Sequence, residues 1–570
     1  MRDPDLPKSF WKSKTFLVLA TFCVTILLLS AYVFLLRTPP LIISEATTRI
    51  TGPLTADGQI DFFKALEERI SSPELATDDN GFRDFVRLFG DVGVTGGDLE
   101  FHRLQKYEKL GLDPTTPPTQ ILPLAPDAAF QKIFVARGEE IPWEQNRHLC
   151  SQPWTLEEFP MLADWVNEID VPMDAIAEAI RKPIFFAPLL QDEGKNLVTL
   201  MPDASLFRQF SRIYRTRALY RVGQGDIDGA IDDKLTIHRL GRLAAQNGRI
   251  TSYLIANAIE GDAARIPIGA NPEHPLTERQ LQRLFDNLDV LPPRRPVSDI
   301  YEQERLVALS CIQTFAKQGP QYDSLAGGAG PFTRGLFLMH GPNDFMSAYV
   351  SRTCNWNIVF RRMNEVYDAI QAPNLRTKYH SLVKPSTPSM FDMVWRLLSP
   401  NGRGTLAADY LINLLVPDVE KVEETIRCSQ CAENMQRLAL AILLYRCENG
   451  EFPDENWATQ IEKYLGENPQ RYFSCPTSPS PDGETTYALV QYGDIVANCP
   501  DLLLVELTAP VPLDKAVIFA DDVLACKGTG SLHPGGMNAA CRSAAVRFLL
   551  SNTDAKELER LLGRQNKPSP

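Results

Sequence analysis

Residues 401–453 read NGRGTLAADYLINLLVPDVEKVEETIRCSQCAENMQRLALAILLYRCENGEFP. Apolar side chains recur three or four residues apart along this stretch, a spacing that predicts one long amphipathic helix. Pro417 predicts a kink in that helix, and Gly450 suits the position just after its end. The residues that form the apolar stripe are Leu411, Leu415, Val419, Val422, Ile426, Met435, Leu438, Ile442 and Tyr445.

Short β-rich segments follow the helix. Residues 486–491 and 502–507 are rich in β-branched and apolar side chains, and residues 544–550 read as a closing strand. Val546 and Phe548 alternate there as one face of a strand would. The pattern predicts an α+β fold for residues 401–570.

The same region resembles a known family. Its motif residues resemble, in order, those of the pseudopilin-like proteins of planctomycete bacteria, which are related to the pseudopilins of type II secretion and end in an H-x9-D-G box. The resemblance implies a long helix packed on a small antiparallel sheet. Ser543-Ala544 stands where the family has Asp-Gly, and the family's processing motif and first membrane helix do not precede this module. The matching residues are Pro417, Cys431, Asn434, Tyr445, Gly450, Pro453, Cys475, Pro476, Tyr487, Glu506, His533, Gly535 and Gly536.

The N-terminal region contains an uncharged run, residues 15–36, TFLVLATFCVTILLLSAYVFLL. A bilayer core needs about 20 apolar helical residues, whereas the apolar part of a cleaved signal peptide, the alternative, is usually about 7–15 long. Basic residues are denser before the run than after it, which favours a cytoplasmic N-terminus. We therefore predict a cytoplasmic tail at 1–14, an uncleaved single-pass signal-anchor at 15–36 of the inner membrane, and a periplasmic remainder.

Seven of the eleven cysteines lie in the C-terminal part, and an oxidising periplasm would permit disulfides between them. Cys428 and Cys431 form a C-x-x-C pair, for which a redox pair and half of a zinc site are alternatives. The other half of a metal site is not evident from the sequence, so we expect structural disulfides, no metal and no cofactor. The candidate disulfide cysteines are Cys428, Cys431, Cys447, Cys475, Cys499, Cys526 and Cys541.

Residues 37–400 read as helices separated by proline-rich loops at 114–126 and 291–296. Residues 217–247 predict an αα-hairpin, with a break between Gly223 and Gly225 and Asp226 as the N-cap of the second helix. The hairpin is similar to one tetratricopeptide-type unit, but no second copy follows at that family's period of about 34 residues. We expect a large all-α exported domain that is α-solenoid-like, with an irregular helical bundle as the alternative.

Little in the sequence points to catalysis. G-x-S-x-G, H-E-x-x-H and phosphate-loop motifs are absent from the sequence. His238 follows Asp232 and Asp233 at offsets that suit a solvated or core histidine, and the two-residue spacing of His148 and Cys150 does not aim the pair together. A catalytic imidazole at His533 and a glycine-rich turn there are alternatives, of which we expect the turn. The acidic pairs at 67–68 and 423–424 read as solvated helix faces.

The net charge of −13 argues against a nucleic-acid partner. We expect a membrane-anchored, non-enzymatic envelope protein that contacts a protein partner through its helices. A pseudopilin-related component of a secretion or filament assembly is the first alternative. An exported enzyme or solute-binding module with its site in the helical domain is the second.

Overall fold

A computed structural model describes residues 18, 20–25, 28, 39–70, 74–90, 99–119, 128–129, 131–132, 152–190, 203–271, 273–318, 353–372, 376–383, 389–477, 479–491, 502–519, 523, 533, 536–550, 553 and 561. The α-helices are α1 Phe62–Ile70, α2 Gly81–Phe89, α3 Leu99–Lys109, α4 Pro160–Arg181, α5 Asp203–Gly223, α6 Ile227–Ala244, α7 Ile250–Ala264, α8 Glu278–Asp289, α9 Val297–Gln318, α10 Trp356–Gln371, α11 Arg376–Val383, α12 Met390–Leu397, α13 Pro400–Leu415, α14 Val419–Asn449 and α15 Trp457–Ile461. The strands are β1 Glu484–Gln491, β2 Leu502–Pro512, β3 Val517–Phe519, β4 Gly536–Cys541 and β5 Val546–Leu550.

The chain forms two compact units, each assembled from segments distant in sequence. Unit 1 contains Met1–Arg69, Gln191–Thr199 and Val297–Pro417. Unit 2 contains Ile70–Leu190, Leu200–Pro296 and Asp418–Pro570. The helices of residues 70–296 and the C-terminal sheet therefore belong to the same unit.

Unit 1 is helical, with α10 packed against α9 and α13. Buried amide side chains join the segment before α1, which contains a turn at residues 44–48, to these helices. Asn364 donates to the carbonyl of Thr47 at 2.6 Å, and Gln313 donates to the carbonyl of Ile60 at 2.8 Å. These bonds satisfy backbone carbonyls that have no ladder partner, which buried backbone groups require.

The predicted αα-hairpin in unit 2 is confirmed as α5 and α6. Gly225 adopts a φ of +80° between the two helices, and the side chain of Asp226 accepts from the N–H of Gly229 at 3.0 Å to cap α6. Burial of His238 within α6 confirms the core alternative for that histidine. The α7 helix packs on both members of the hairpin.

Helix α14 is the centre of unit 2. The strands β2, β4 and β5 contact it, and so do α7 and α8. Ten consecutive residues, Met435 to Leu444, are buried, which requires packing on all faces of the helix. The predicted long helix is thus two helices, because Pro417 lies in the break between α13 and α14, and Asp418 caps the second one.

The C-terminal sheet is five-stranded and mixed, in the order β3-β1-β2-β4-β5. The strands predicted near 486–491, 502–507 and 544–550 are β1, β2 and β5. The expectation of a purely antiparallel sheet is wrong at one edge, because β3 pairs parallel to β1. The chain reverses after β2 and lies on the far side of β1, so it runs in the same direction as β1.

The structure contradicts the predicted membrane anchor. Within the described part of the chain, no helix has both the length and the apolar character needed to cross a bilayer. Of the run 15–36, residues 18, 20–25 and 28 are described as helical, and the others lie outside the described residues. The predicted signal-anchor, inner-membrane location and periplasmic placement are therefore corrected.

Candidate metal centre

Four ligand-type side chains meet between α14 and the sheet in unit 2. Cys431 lies on α14, Glu506 on β2, Cys475 after the 3-10 turn Pro469–Tyr472, and His533 before β4. Their relative exposures are 0%, 1%, 3% and 3%, so all four are buried. One ligand atom from each lies within 4.8 Å of the others.

Local structure fixes these residues from several directions. The N–H of Cys475 donates to Oγ1 of Thr486 on β1 at 2.7 Å. The amide of Asn434 on α14 donates to the carbonyl of Ser474 at 3.1 Å, which ties the segment before Cys475 to the helix. On the sheet, Oε2 of Glu506 accepts from the backbone N–H of Asn538 at 2.5 Å.

The Nε2 edge of the His533 ring points at the inner thiol and carboxylate groups. Its Nε2 lies 3.3 Å from Sγ of Cys475 and 3.4 Å from Oε1 of Glu506. The Sγ atom of Cys431 lies 2.6 Å from the same Oε1 and 3.2 Å from the hydroxyl of Tyr487. Four donors therefore converge on one small volume.

The Nδ1 edge of the His533 ring contacts a second set of ligand-type atoms. Nδ1 of His533 lies 2.7 Å from Oε1 of Glu424, 3.0 Å from Sγ of Cys428 and 3.1 Å from Oγ1 of Thr477. Glu424, Cys428 and Cys431 follow one another at intervals of four and three residues, so they share one face of α14. Glu424 and Cys428 are partly exposed, in contrast to the inner four.

The electrostatics of the cluster show strong coupling between thiol, imidazole and carboxylate. Burial raises the pKa of the Cys431 thiol well above its usual value. A hydrogen bond with Cys431 lowers the pKa of Cys475 to about 5, against the opposing effect of burial. Burial disfavours the cation of His533, but hydrogen bonds to Cys428, Cys475 and Glu506 outweigh it and raise the pKa of the ring.

The inner distances suit a tetrahedral ion. Zinc bonds of about 2.3 Å to sulfur and about 2.1 Å to nitrogen or oxygen would hold ligand atoms about 3.4–3.8 Å apart in a tetrahedral site. The Cys475–His533 and His533–Glu506 separations, 3.3 and 3.4 Å, are already close to this spacing. The Cys431–Glu506 contact of 2.6 Å would have to open by about 1 Å.

The structure brings together residues that the sequence presented separately. Cys431, Cys475, Glu506 and His533 were motif residues of the family resemblance, and Tyr487 and Asn434 support them. Of the other motif residues, Gly450 ends α14 with a φ of +79°, Pro453 is buried, Tyr445 and Pro476 are partly buried, Gly536 begins β4, and Gly535 lies outside the described residues.

The expected disulfides are wrong for the cysteines that the structure describes. The described cysteines are all free thiols, and none is at disulfide distance from another. Cys428, Cys431 and Cys475 belong to the cluster, Cys447 is exposed and Cys541 is buried in the sheet core. Cys150, Cys499 and Cys526 lie outside the described residues, as does His148.

Sequence reasoning missed Glu424 and Thr477. Glu424 belonged to an acidic pair read as a solvated helix face, yet it contacts His533. The signal that could have found it is the helical spacing 424, 428 and 431, which places two thiols and a carboxylate in one row.

Comparison with known proteins returned no matching family model, no matching curated protein and no matching solved structure.

Proposed function

We propose that this protein binds one zinc ion in a structural centre formed by Cys431, Cys475, Glu506 and His533. The observation that carries the proposal is the convergence of four buried ligand atoms within 4.8 Å, from segments up to 102 residues apart. A buried thiol, imidazole or carboxylate normally needs a partner that compensates its charge or polarity. A divalent cation at this point would satisfy all four.

The donor set favours zinc over other common ions. Two sulfurs, one imidazole nitrogen and one carboxylate oxygen form a mixed set of soft and borderline ligands. Calcium and magnesium take oxygen ligands almost exclusively, so the thiols argue against them. Zinc is bound by cysteine, histidine and carboxylate side chains in tetrahedral geometry.

The arrangement suits a structural role better than a catalytic one. Catalytic zinc sites usually keep a coordination position for water, whereas structural sites use four protein ligands. Here four protein donors are available and all are buried. An ion among them would join α14 to β2 and to the segments that hold Cys475 and His533. The ion would then stabilise the fold of unit 2, a role compatible with the partner-binding function expected from the sequence.

The test is the metal content of the full chain, purified without chelator and measured by elemental mass spectrometry. We expect one zinc per chain. Substitution Cys475→Ser should remove the bound zinc, and Cys447→Ser, which changes an exposed thiol on the same α14 helix, should retain it.

Cobalt substitution adds an independent readout. Cobalt(II) in this centre should give thiolate charge-transfer absorption and the intense visible bands of a tetrahedral complex. A chain that carries no zinc, takes up no cobalt and has the same unfolding midpoint with and without zinc would refute the proposal.

A further inference from the structure

The closed centre raises the question of how an ion reaches it. The four inner ligands are at most 3% exposed, so a hydrated ion cannot bind them directly from solvent. A metal site needs an entry path, and ligand-type side chains along that path can hold the ion on its way. Partly exposed ligand-type side chains that contact the centre are therefore candidates for the entry path.

Glu424 and Cys428 are such donors. The side chain of Glu424 is 19% exposed, and Cys428 is also partly exposed. Together with Nδ1 of His533 they form a second group of ligand atoms within 4.8 Å of one another. They precede Cys431 on the same face of α14. An ion that moves along this face from Glu424 and Cys428 therefore reaches the buried thiol of Cys431.

The two groups share one imidazole ring, which limits them to one ion at a time. When Nε2 binds a metal, Nδ1 keeps its proton and donates it, in the usual arrangement to a carboxylate. The 2.7 Å contact between Nδ1 and Glu424 is of this kind. An ion on each nitrogen would require a ring stripped of both protons, so the outer group is suited to transient occupancy.

We infer that Glu424, Cys428 and Nδ1 of His533 form an outer zinc site through which the ion enters and leaves the buried centre. This inference rests on the zinc centre proposed above. Binding at the outer site releases the thiol proton of Cys428 to solvent, while Nε2 of the ring carries its proton. The guanidinium of Arg427 lies 3.4 Å from Oε2 of Glu424, whereas Oε1 of Glu424 faces Nδ1 of His533 and Sγ of Cys428.

The inward transfer exchanges bonds and protons in a balanced way. The zinc bonds to Glu424, Cys428 and Nδ1 break, and bonds to Cys431, Cys475, Glu506 and Nε2 form. The ring changes tautomer, because Nε2 gives up its proton and Nδ1 takes one. Cys428 regains a proton, each inner thiol that still carries a proton releases it, and solvent takes up any difference. Nδ1–H then donates to Glu424, which holds the ring with Nε2 on the metal.

The decisive experiment measures zinc exchange in the full chain loaded with natural zinc. Protein is mixed with an excess of an enriched zinc isotope, and the bound isotope ratio is followed by elemental mass spectrometry. We expect Cys428→Ser to keep one tightly bound zinc but to exchange it more slowly, on the order of tenfold, the scale on which neighbours of metal ligands act. Cys447→Ser is the matched control and should exchange at the wild-type rate.

The direction of the change separates this role from a purely supportive one. If Cys428 only steadied His533, its loss would weaken the centre and speed zinc release. Exchange by Cys428→Ser at the wild-type rate or faster would overturn the inference, and so would two tightly bound zinc ions in the wild type. A wild-type chain that holds no zinc would refute the proposed centre itself, so the two failures are distinguishable.

Discussion

Substitution Glu433→Gln tests the packing of α14 in unit 2. The Oε2 atom of Glu433 lies 2.8 Å from Arg242 on α6 and 3.0 Å from Arg294. Both guanidiniums also contact Glu260 on α7, at 3.2 and 2.6 Å. The side chains of the two arginines are only 8% and 13% exposed, so they depend on protein partners for their charge.

The expected cost follows from what the substitution leaves behind. Glutamine keeps the shape and one acceptor oxygen, but two buried cations then share the single carboxylate of Glu260. Breaking a fully buried ion pair costs about 3–5 kcal/mol. The side chain of Glu433 is 25% exposed, so water can compensate in part, and we expect a loss of about 2–3 kcal/mol in the free energy of opening.

Hydrogen exchange of the full chain, followed by mass spectrometry of peptides, is the appropriate assay because it reports each region separately. A loss of 2–3 kcal/mol corresponds to exchange about 30- to 150-fold faster in peptides of α14 and α7. Glu448→Gln is the matched control, since Glu448 lies near the exposed end of the same helix and pairs with Lys463. Equal exchange in the two variants would refute the reasoning.

Three further predictions concern unit 2. Gly223→Ala should destabilise unit 2 by about 3 kcal/mol, because the added Cβ would lie 2.0 Å from the carbonyl oxygen of Trp154. Gly261→Ala adds a Cβ in open space within α7 and should stabilise the unit by about 0.5–1 kcal/mol. The urea unfolding midpoints of the two variants should therefore shift in opposite directions. Burial lowers the pKa of Lys234 to about 7, so between pH 7 and 10 the unfolded chain binds one more proton than the folded chain. The free energy of unfolding of the wild type, relative to that of Lys234→Met, should therefore rise with pH across this window in urea titrations. A difference that does not change with pH would contradict the lowered pKa. Zinc at one hundred times its Kd should raise the free energy of unfolding of the chelator-stripped chain by about 2.7 kcal/mol, and an unchanged midpoint on adding zinc would speak against the centre.

Local chemistry in the sequence was sufficient to locate several elements. Asp226 caps α6 and Gly450 ends α14, because a capping carboxylate and a residue tolerant of positive φ act within one turn of the helix. The three strands predicted from composition and alternation are present. Pro417 marked the break between α13 and α14, although the sequence alone suggested a kink in one continuous helix.

Predictions that depended on contacts between segments distant in sequence were wrong or incomplete. The stripe on α14 predicted one buried face, but α7 and α8 contact this helix as well as the sheet, and residues 435–444 are all buried. Strand β3 is only three residues long and pairs parallel to β1 because the chain reverses direction after β2. So short a segment does not show in its sequence which strand it will pair with. Cysteine number suggested disulfides, yet a disulfide needs two sulfur atoms in contact, and only the fold sets that separation.

The sequence alone predicts helix caps such as Asp226 and Gly450, three of the strands and the residue types available for chemistry, because each depends on neighbours a few positions away. The convergence of Cys431, Cys475, Glu506 and His533 on one point depends on the tertiary fold, since 102 residues separate the first from the last. Tertiary packing also places the partly exposed Glu424 against His533. Helix periodicity places side chains on a common face, but it does not specify what that face meets, and the candidate site depends on that contact.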